Sequence, residues 1–403
     1  MSYKDVVKQY PGVLALCFIA VFSGNLGQTF VVGFFQPAIS ETFALTNGQF
    51  GMAYSAVTLI SGFLIFFIGP TLDWVPARLF AAFIVLAMTL GVLLLTLTSW
   101  PITALIGLGL VRFCGQGLFT HLGTTVVAKQ VAQARGRALA LVTLAMPIGE
   151  AILPSAIAGA LLVMGWREVW WVMLAALLVV WGPVLTLAKT WPRPSHQRCP
   201  KGNRSDADSS PRPLSDMRFW RLSLMMMSIG IVNTGIFVFQ ADLVGEFDAT
   251  PSAFAVGFAL AATGRVCGAL IAGRLVDRLG AAMMARLYLF PLMAGLSIAV
   301  GLQNAYGIFA YMLLSGLVTG MQEPTITSLL IQIWGSRNLA TLRSVFAAGM
   351  VFSSGLAPAV FGLLLDAGIA FTTILLLMAA MVAMGWLLAW KPLQEAARGI
   401  SRE

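Results

Sequence analysis

Runs of roughly 20 apolar residues recur from one end of this chain to the other, and each can cross about 30 Å of hydrocarbon as a helix. Spanning strands would instead show a ten-residue alternation, which the sequence lacks. Twelve such spans can be drawn, near 12–36, 47–70, 77–98, 101–128, 137–163, 168–189, 219–242, 252–275, 283–302, 305–333, 341–365 and 368–390. Of the 403 residues 59% are hydrophobic and only 10% charged, whereas a soluble domain has about 25% charged residues. The expected fold class is an all-α polytopic membrane protein, with the lipid bilayer as its first partner.

The net charge of +9 does not imply nucleic acid, because the basic residues follow the membrane. With the N-terminus inside, the Lys and Arg residues gather in the cytoplasmic segments: Lys4 and Lys8, Arg78, Lys129 to Arg137, Lys189 to Arg221, Arg274 to Arg286, Arg337 and Arg343, and Lys391 to Arg402. Arg167 alone falls on the other side, and Arg112 and Arg265 fall within spans. That split is the positive-inside rule, and it predicts a multi-pass protein of the inner (cytoplasmic) membrane with both termini cytoplasmic. No cleavable signal peptide is evident. Cys17, Cys114 and Cys267 lie in spans and Cys199 in a loop, so no disulfide is expected. His196 and Cys199 do not make a metal site, and no cofactor is expected.

Thr190 to Met217 is rich in Pro, Ser and charge and reads as a disordered loop. It predicts an N-terminal six-helix bundle (1–189), a cytoplasmic central loop (190–218) and a C-terminal six-helix bundle (219–403). The halves also match in register. A shift of 204 lays Phe35-Gln36 on Phe239-Gln240, Phe43 on Phe247, Thr46 on Thr250, Phe50 on Phe254, Gly69 on Gly273, Asp73 on Asp277 and Pro154 on Pro358. Two similar bundles are what a rocking transporter needs, with its substrate site near the midplane.

Between spans two and three stands GPTLDWVPAR, Gly69 to Arg78, and between spans eight and nine GRLVDRLG, Gly273 to Gly280. Both resemble the G-x-x-x-D-x-x-G-R motif of the major facilitator superfamily. Pro76 replaces a glycine in the first copy, and Ala281 and Ala282 replace basic residues after the second. The resemblance, covering the whole chain, implies a secondary transporter with no enzymatic activity. It also implies a conformational latch in which Gly69, Asp73, Arg78, Gly273, Asp277 and Arg278 take part. The competing reading is a solvated turn with topogenic charge. In the superfamily, helices one, four, seven and ten line the cavity, flanked by two, five, eight and eleven.

Charge in the central portions of the spans is confined to Arg112, Glu150, Arg265 and Glu323, roughly 16–20 Å from one end of their helices at 1.5 Å per residue. Such residues face a bundle interior or a wet cavity. One reading makes them two ion pairs, Arg112–Glu150 and Arg265–Glu323, although buried pairs stabilise poorly. The other gives Arg112 and Arg265 an anionic substrate and Glu150 and Glu323 the coupling proton. Asn25, Gln28, Tyr54, Gln116, Asn233 and Gln322 complete the substrate-binding set, since amides and phenols can bond a carboxylate. Thr29, Gln36, Gln240, Ser353 and Ser354 are further polar residues of the inner helices.

Two narrower resemblances exist. Monocarboxylate and oxalate-type porters carry an arginine in helix eight, as Arg265 is here, but their helix-eleven cation has no counterpart in Val345 to Pro358. Helix four is similar to the R-x-x-x-G motif of proton antiporters, with Gln116 at the glycine; His121 in the same helix reads as a proton relay or as a packed, hydrogen-bonded residue. The expected function is proton-coupled transport of a small organic anion by a monomer working as symporter or antiporter. The alternatives are a drug or multidrug efflux antiporter and a membrane sensor that never translocates. An ATP-driven pump is excluded for want of a phosphate loop.

Overall fold

Polar punctuation between the apolar runs sets where the helices begin and end. Thr46 caps one helix through a capping box with Gln49, Thr250 accepts from Ala253 N–H, Asn304 from Tyr306 and Gly307, and Asp216 from Arg218. Gly280, Gly335 and Gly368 close three others with φ of +80°, +76° and +75°, a region that side chains avoid. The computed structural model describes residues 3–187, 191, 216–335 and 339–399. Most of the expected central loop, with His196 and Cys199, lies outside the described residues, as do Arg337 and Arg402.

The chain divides into two compact units, Met1–Arg198 and Cys199–Glu403. The first holds α1 (Pro11–Thr42), α2 (Asn47–Asp73), α3 (Ala77–Leu97), α4 (Pro101–Gln130), α5 (Arg135–Leu161) and α6 (Trp166–Leu187). The second holds α7 (Met217–Val238), α8 (Pro251–Leu279), α9 (Ala281–Leu302), α10 (Ala305–Trp334), α11 (Leu339–Asp366) and α12 (Phe371–Gly399). Among the described residues, 11 helices are long and apolar enough to cross a membrane. The remaining one, α10, has 30 residues and carries Gln322, Glu323 and Gln332 on an otherwise apolar stretch. Among the described residues the polytopic all-helical fold is as expected.

The two units repeat one another in their turns. Ala44 after α1 and Asp248 after the short helix Gln240–Glu246 that follows α7 both adopt left-handed φ, +50° and +46°. In the first, Leu45 N–H bonds Ser40 O at 2.9 Å; in the second, Ala249 N–H bonds Val244 O at 3.0 Å. This is the same helix-ending motif, residue for residue at the offset of 204, with a non-glycine at its left-handed position.

Several helices are discontinuous where they matter to the site. In α1 a tight 3-10 turn, Gly24–Gly27, separates Pro11–Ser23 from Thr29–Thr42. In α4 the segment Phe113–Phe119 widens into a π-helix, a rare form that appears often at functional sites. These segments pack on each other backbone to backbone: a Cβ on Gly27 would sit 2.5 Å from Val111 O and 2.8 Å from Gly115 Cα.

The second unit has its own glycine seam. Gly264 and Gly268 of α8 and Gly316 and Gly320 of α10 each present their missing side chain to the partner's backbone. A Cβ on Gly268 would fall on Leu317 O, one on Gly316 on Ala261 O, and one on Gly320 on Arg265 O. Small residues spaced by four let spanning helices approach this closely.

Candidate functional site

In the first unit the break in α1 creates the acceptor that holds Arg112. Gln28 is extended, with φ −76° and ψ 153°, and the N–H groups of Val31 and Val32 bond Gln28 O. Gly27 O is thereby released from the helix ladder, and Arg112 Nη1 donates to it at 3.3 Å. Arg112 Nε donates to Thr58 Oγ1 at 2.6 Å, and the guanidinium lies over the Tyr54 ring, 4.5 Å from its centroid. Tyr54 OH in turn donates to Thr29 Oγ1 at 3.2 Å, and Thr58 Oγ1 to Tyr54 O at 2.7 Å. Arg112, at 2% exposure, thus has partners that are all uncharged. The Arg112–Glu150 ion pair considered from sequence is not formed, because the break in α1 and the hydroxyl on α2 take the guanidinium first.

Asn25 joins the same turn to α5. Fully buried, it donates to Phe22 O at 3.0 Å and to Ala145 O at 3.2 Å, and its amide fills the space a side chain on Gly149 would need. The neighbour of Gly149 is Glu150, buried to 2% exposure. Gln28 is half-buried at the start of the second segment of α1, and Gln116 is exposed on the π segment of α4. The first unit therefore gathers Asn25, Thr29, Tyr54 and Arg112 on α1, α2 and α4, with Thr58 as the member that sequence reasoning missed. Thr58 had a signal, since it follows Tyr54 by one helical turn on the same face.

In the second unit Tyr311 OH donates to Asn233 Oδ1 at 2.6 Å, tying α10 to α7. Gln322 Nε2 donates to Met226 O at 2.7 Å across the same pair of helices. Gln240 is buried at 3% exposure. Arg265 is half-buried on α8, its backbone pinned by Gly320. Glu323 is exposed and pairs with Arg343 of α11, with Thr327 Oγ1 donating to it at 3.4 Å. The Arg265–Glu323 pair considered from sequence does not form. Arg343, counted from sequence among the loop cations, is one turn inside α11 and supplies a helix-eleven cation that the stretch from Val345 to Pro358 lacks.

The loop motif is split between two kinds of backbone. Pro70 and Pro76 break the first copy into a 3-10 turn, Gly69–Asp73. There Asp73 pairs with Lys129 of α4 at 2.5 Å, both side chains partly exposed, and Arg78 is exposed at the start of α3. His121 Nε2 donates to Gly69 O at 3.0 Å, so His121 is at least a packed, hydrogen-bonded residue. The second copy has no proline, and α8 runs through it to Leu279. Gly273, Asp277 and Arg278 are exposed on its last turns rather than in a loop.

A sequence profile of the Major Facilitator Superfamily matches residues 17–243. The chain belongs to that superfamily. Solved members resemble it over nearly their full length. A bacterial homologue of the human lysosomal transporter Spinster, inward-facing and occupied, has a TM-score of 0.72 at 17% identity, covering 98% of this chain and 97% of that one. A variant of the nucleoside transporter NupG has a TM-score of 0.74 at 14% identity, covering 97% of this chain and 99% of that one. At such identities the likeness carries the superfamily fold alone. No curated protein sequence matches significantly. As a superfamily member the chain is a multi-pass membrane transporter of small molecules.

Proposed function

We propose that this transporter carries a small organic anion, a carboxylate by preference, coupled to protons by alternating access in the inner membrane. The observation that carries the reading is Arg112, a guanidinium 2% exposed within a span and, among the described residues, bonded only to a hydroxyl, a carbonyl and a ring face. Dipoles and a π face orient a cation without neutralising it, and charge at that depth is costly unless paired. An anionic substrate supplies the missing charge. Arg265, half-buried on α8, is the second anion-binding residue. Glu150, buried beside the Asn25–Gly149 contact, carries the proton. Glu323 serves as a second carboxyl whose protonation releases Arg343. The Asp73–Lys129 pair and the His121–Gly69 contact hold the first copy of the loop motif against α4.

A groove of about 350 Å³ lined by Phe18, Phe22, Leu26, Leu153, Met173 and Leu177 on α1, α5 and α6 favours one other reading, extrusion of apolar compounds. Purified protein in liposomes separates the two. Organic-acid uptake driven by a pH gradient is expected, with Glu150→Gln losing uphill accumulation but keeping counterflow exchange. Arg112→Gln and Arg265→Ala are expected to weaken acids about tenfold, or about 1.4 kcal/mol, while neutral analogues bind unchanged. Uphill transport by Glu150→Gln removes it from coupling, and drugs rather than acids moving across the membrane selects the groove. Ligand binding without any movement identifies a sensor.

A further inference from the structure

The transport mechanism leaves Arg286 unused, at the end of the second unit that the distribution of Lys and Arg assigns to the cytoplasm. Arg286 lies in the first segment of α9 and stacks on Trp390 of α12, its Cζ 5.0 Å from the ring centroid. The neighbouring indole, Trp386, donates to Arg286 O at 2.8 Å, and the two indoles lie 5.0 Å apart. Phe290 meets Trp386 edge-on at 5.5 Å. Within this aromatic frame the Nε and Nη2 groups of Arg286 are closed to water and, among the described residues, have no hydrogen-bond acceptor. Those two N–H groups form one side of the guanidinium fork, the side that takes two oxygens of a carboxylate or phosphate.

Depth says where the acceptor comes from. Trp390 is 19 residues after Phe371, the first residue of α12, so about 29 Å along it at 1.5 Å per residue. One hydrocarbon thickness is about 30 Å, which sets Trp390 and the exposed Lys391 at the level of the headgroups. Trp390 and Phe290 are 39% and 45% exposed, as interfacial aromatics are.

We propose that the cytoplasmic ends of α9 and α12 form a site for the phosphate of an anionic glycerophospholipid. Arg286 binds the phosphate, Trp390 backs the guanidinium, and Lys391 adds charge. Arg286 as a residue is half-buried, and a swing of its guanidinium on the face of Trp390 presents the fork to the bilayer. Basic pockets between spanning helices on the cytoplasmic side take such headgroups. The inference rests on the topology and is independent of the cargo and its coupling.

The test uses the full chain purified in detergent, with Tm followed against dioleoylphosphatidylglycerol, dioleoylphosphatidylcholine and sodium phosphate in turn. Phosphatidylglycerol is expected to raise Tm saturably, with phosphatidylcholine and free phosphate ineffective at matched concentrations. Arg286→Ala is expected to weaken phosphatidylglycerol about tenfold, and Arg286→Lys, which keeps the charge and loses the fork, by less. An equal response of the wild type and Arg286→Ala overturns the site. Equal effects of the two lipids remove its anionic character, and a shift reproduced by sodium phosphate assigns it to the free ion. Should Arg286→Ala not fold, Arg286→Lys carries the test, and lipid affinity unchanged in that variant overturns the fork.

Discussion

Arg112, Glu150, Asn25 and Tyr54 were legible in the sequence because a polar residue in an apolar run has few cheap places to go. What the sequence could not tell was who meets whom. Arg112 finds Thr58 and a released carbonyl rather than Glu150, since a threonine passes for filler in a spanning helix and a carbonyl has no letter of its own. Arg343 was obscured differently, by lying close enough to the loop to be counted with its charges. At this scale Glu246 offers a prediction. Its carboxylate receives Thr372 Oγ1 at 2.5 Å, Thr372 N–H at 2.8 Å and the N–H of Phe371, and so caps the start of α12. Desolvation opposes ionisation, but these bonds outweigh it and hold the carboxyl below its usual range. A depressed folded pKa contributes stability above the unfolded value of about 4.3, which is lost as pH falls through the folded value. Glu246→Gln is expected to cost about 1 kcal/mol at neutral pH and to flatten the acid limb of Tm against pH. An unchanged limb removes the carboxylate from the account.

The helices themselves were written in the apolar runs, and their caps at Thr46 and Thr250 follow the turn residues the sequence displays. Their interruptions were not legible. A 3-10 turn at Gly24–Gly27 or a π segment at Phe113–Phe119 alters hydrogen bonding without altering hydrophobic pattern, and the neighbouring helix decides it. The second motif copy was misread for a related reason: without a proline to stop it, α8 simply continues to Leu279. The seam between α8 and α10 was available in principle, as GRVCG from Gly264 and GLVTG from Gly316, small residues spaced by four in both helices. Gly320→Ala places a methyl group on Arg265 O, so it is expected to part the helices at a cost of about 3 kcal/mol. Substrate affinity falls with it, by as much as in Arg265→Ala, when binding is measured on protein that remains folded. Wild-type stability and affinity in Gly320→Ala rule out so tight a seam.

For the whole molecule, the offset of 204 noticed between the two halves recurs in the fold as two turns with the same bonds and the same left-handed residue, at Ala44 and Asp248. Side chains have drifted more than backbone: one unit buries its arginine among neutral groups, while the other engages a carboxylate with Arg343 in the open. The proposed topology has a direct check. Cys17 and Cys114 are buried, so in a Cys267→Ser background a membrane-impermeant maleimide is expected to label Cys199 in inverted vesicles and not in right-side-out ones. The opposite pattern inverts the orientation and, with it, the side on which Arg286 meets lipid.

The glycine seam has one more consequence. Carbonyl rests against bare Cα along four contacts, with no side chain between to rotate or slide. Two helices joined in this way behave as a single stiff plank, so the backbone of Arg265 cannot be advanced or withdrawn by a local adjustment. Any stroke that shifts that backbone must tilt α8 and α10 together, and the work of changing sides is then spread over two full membrane crossings instead of one.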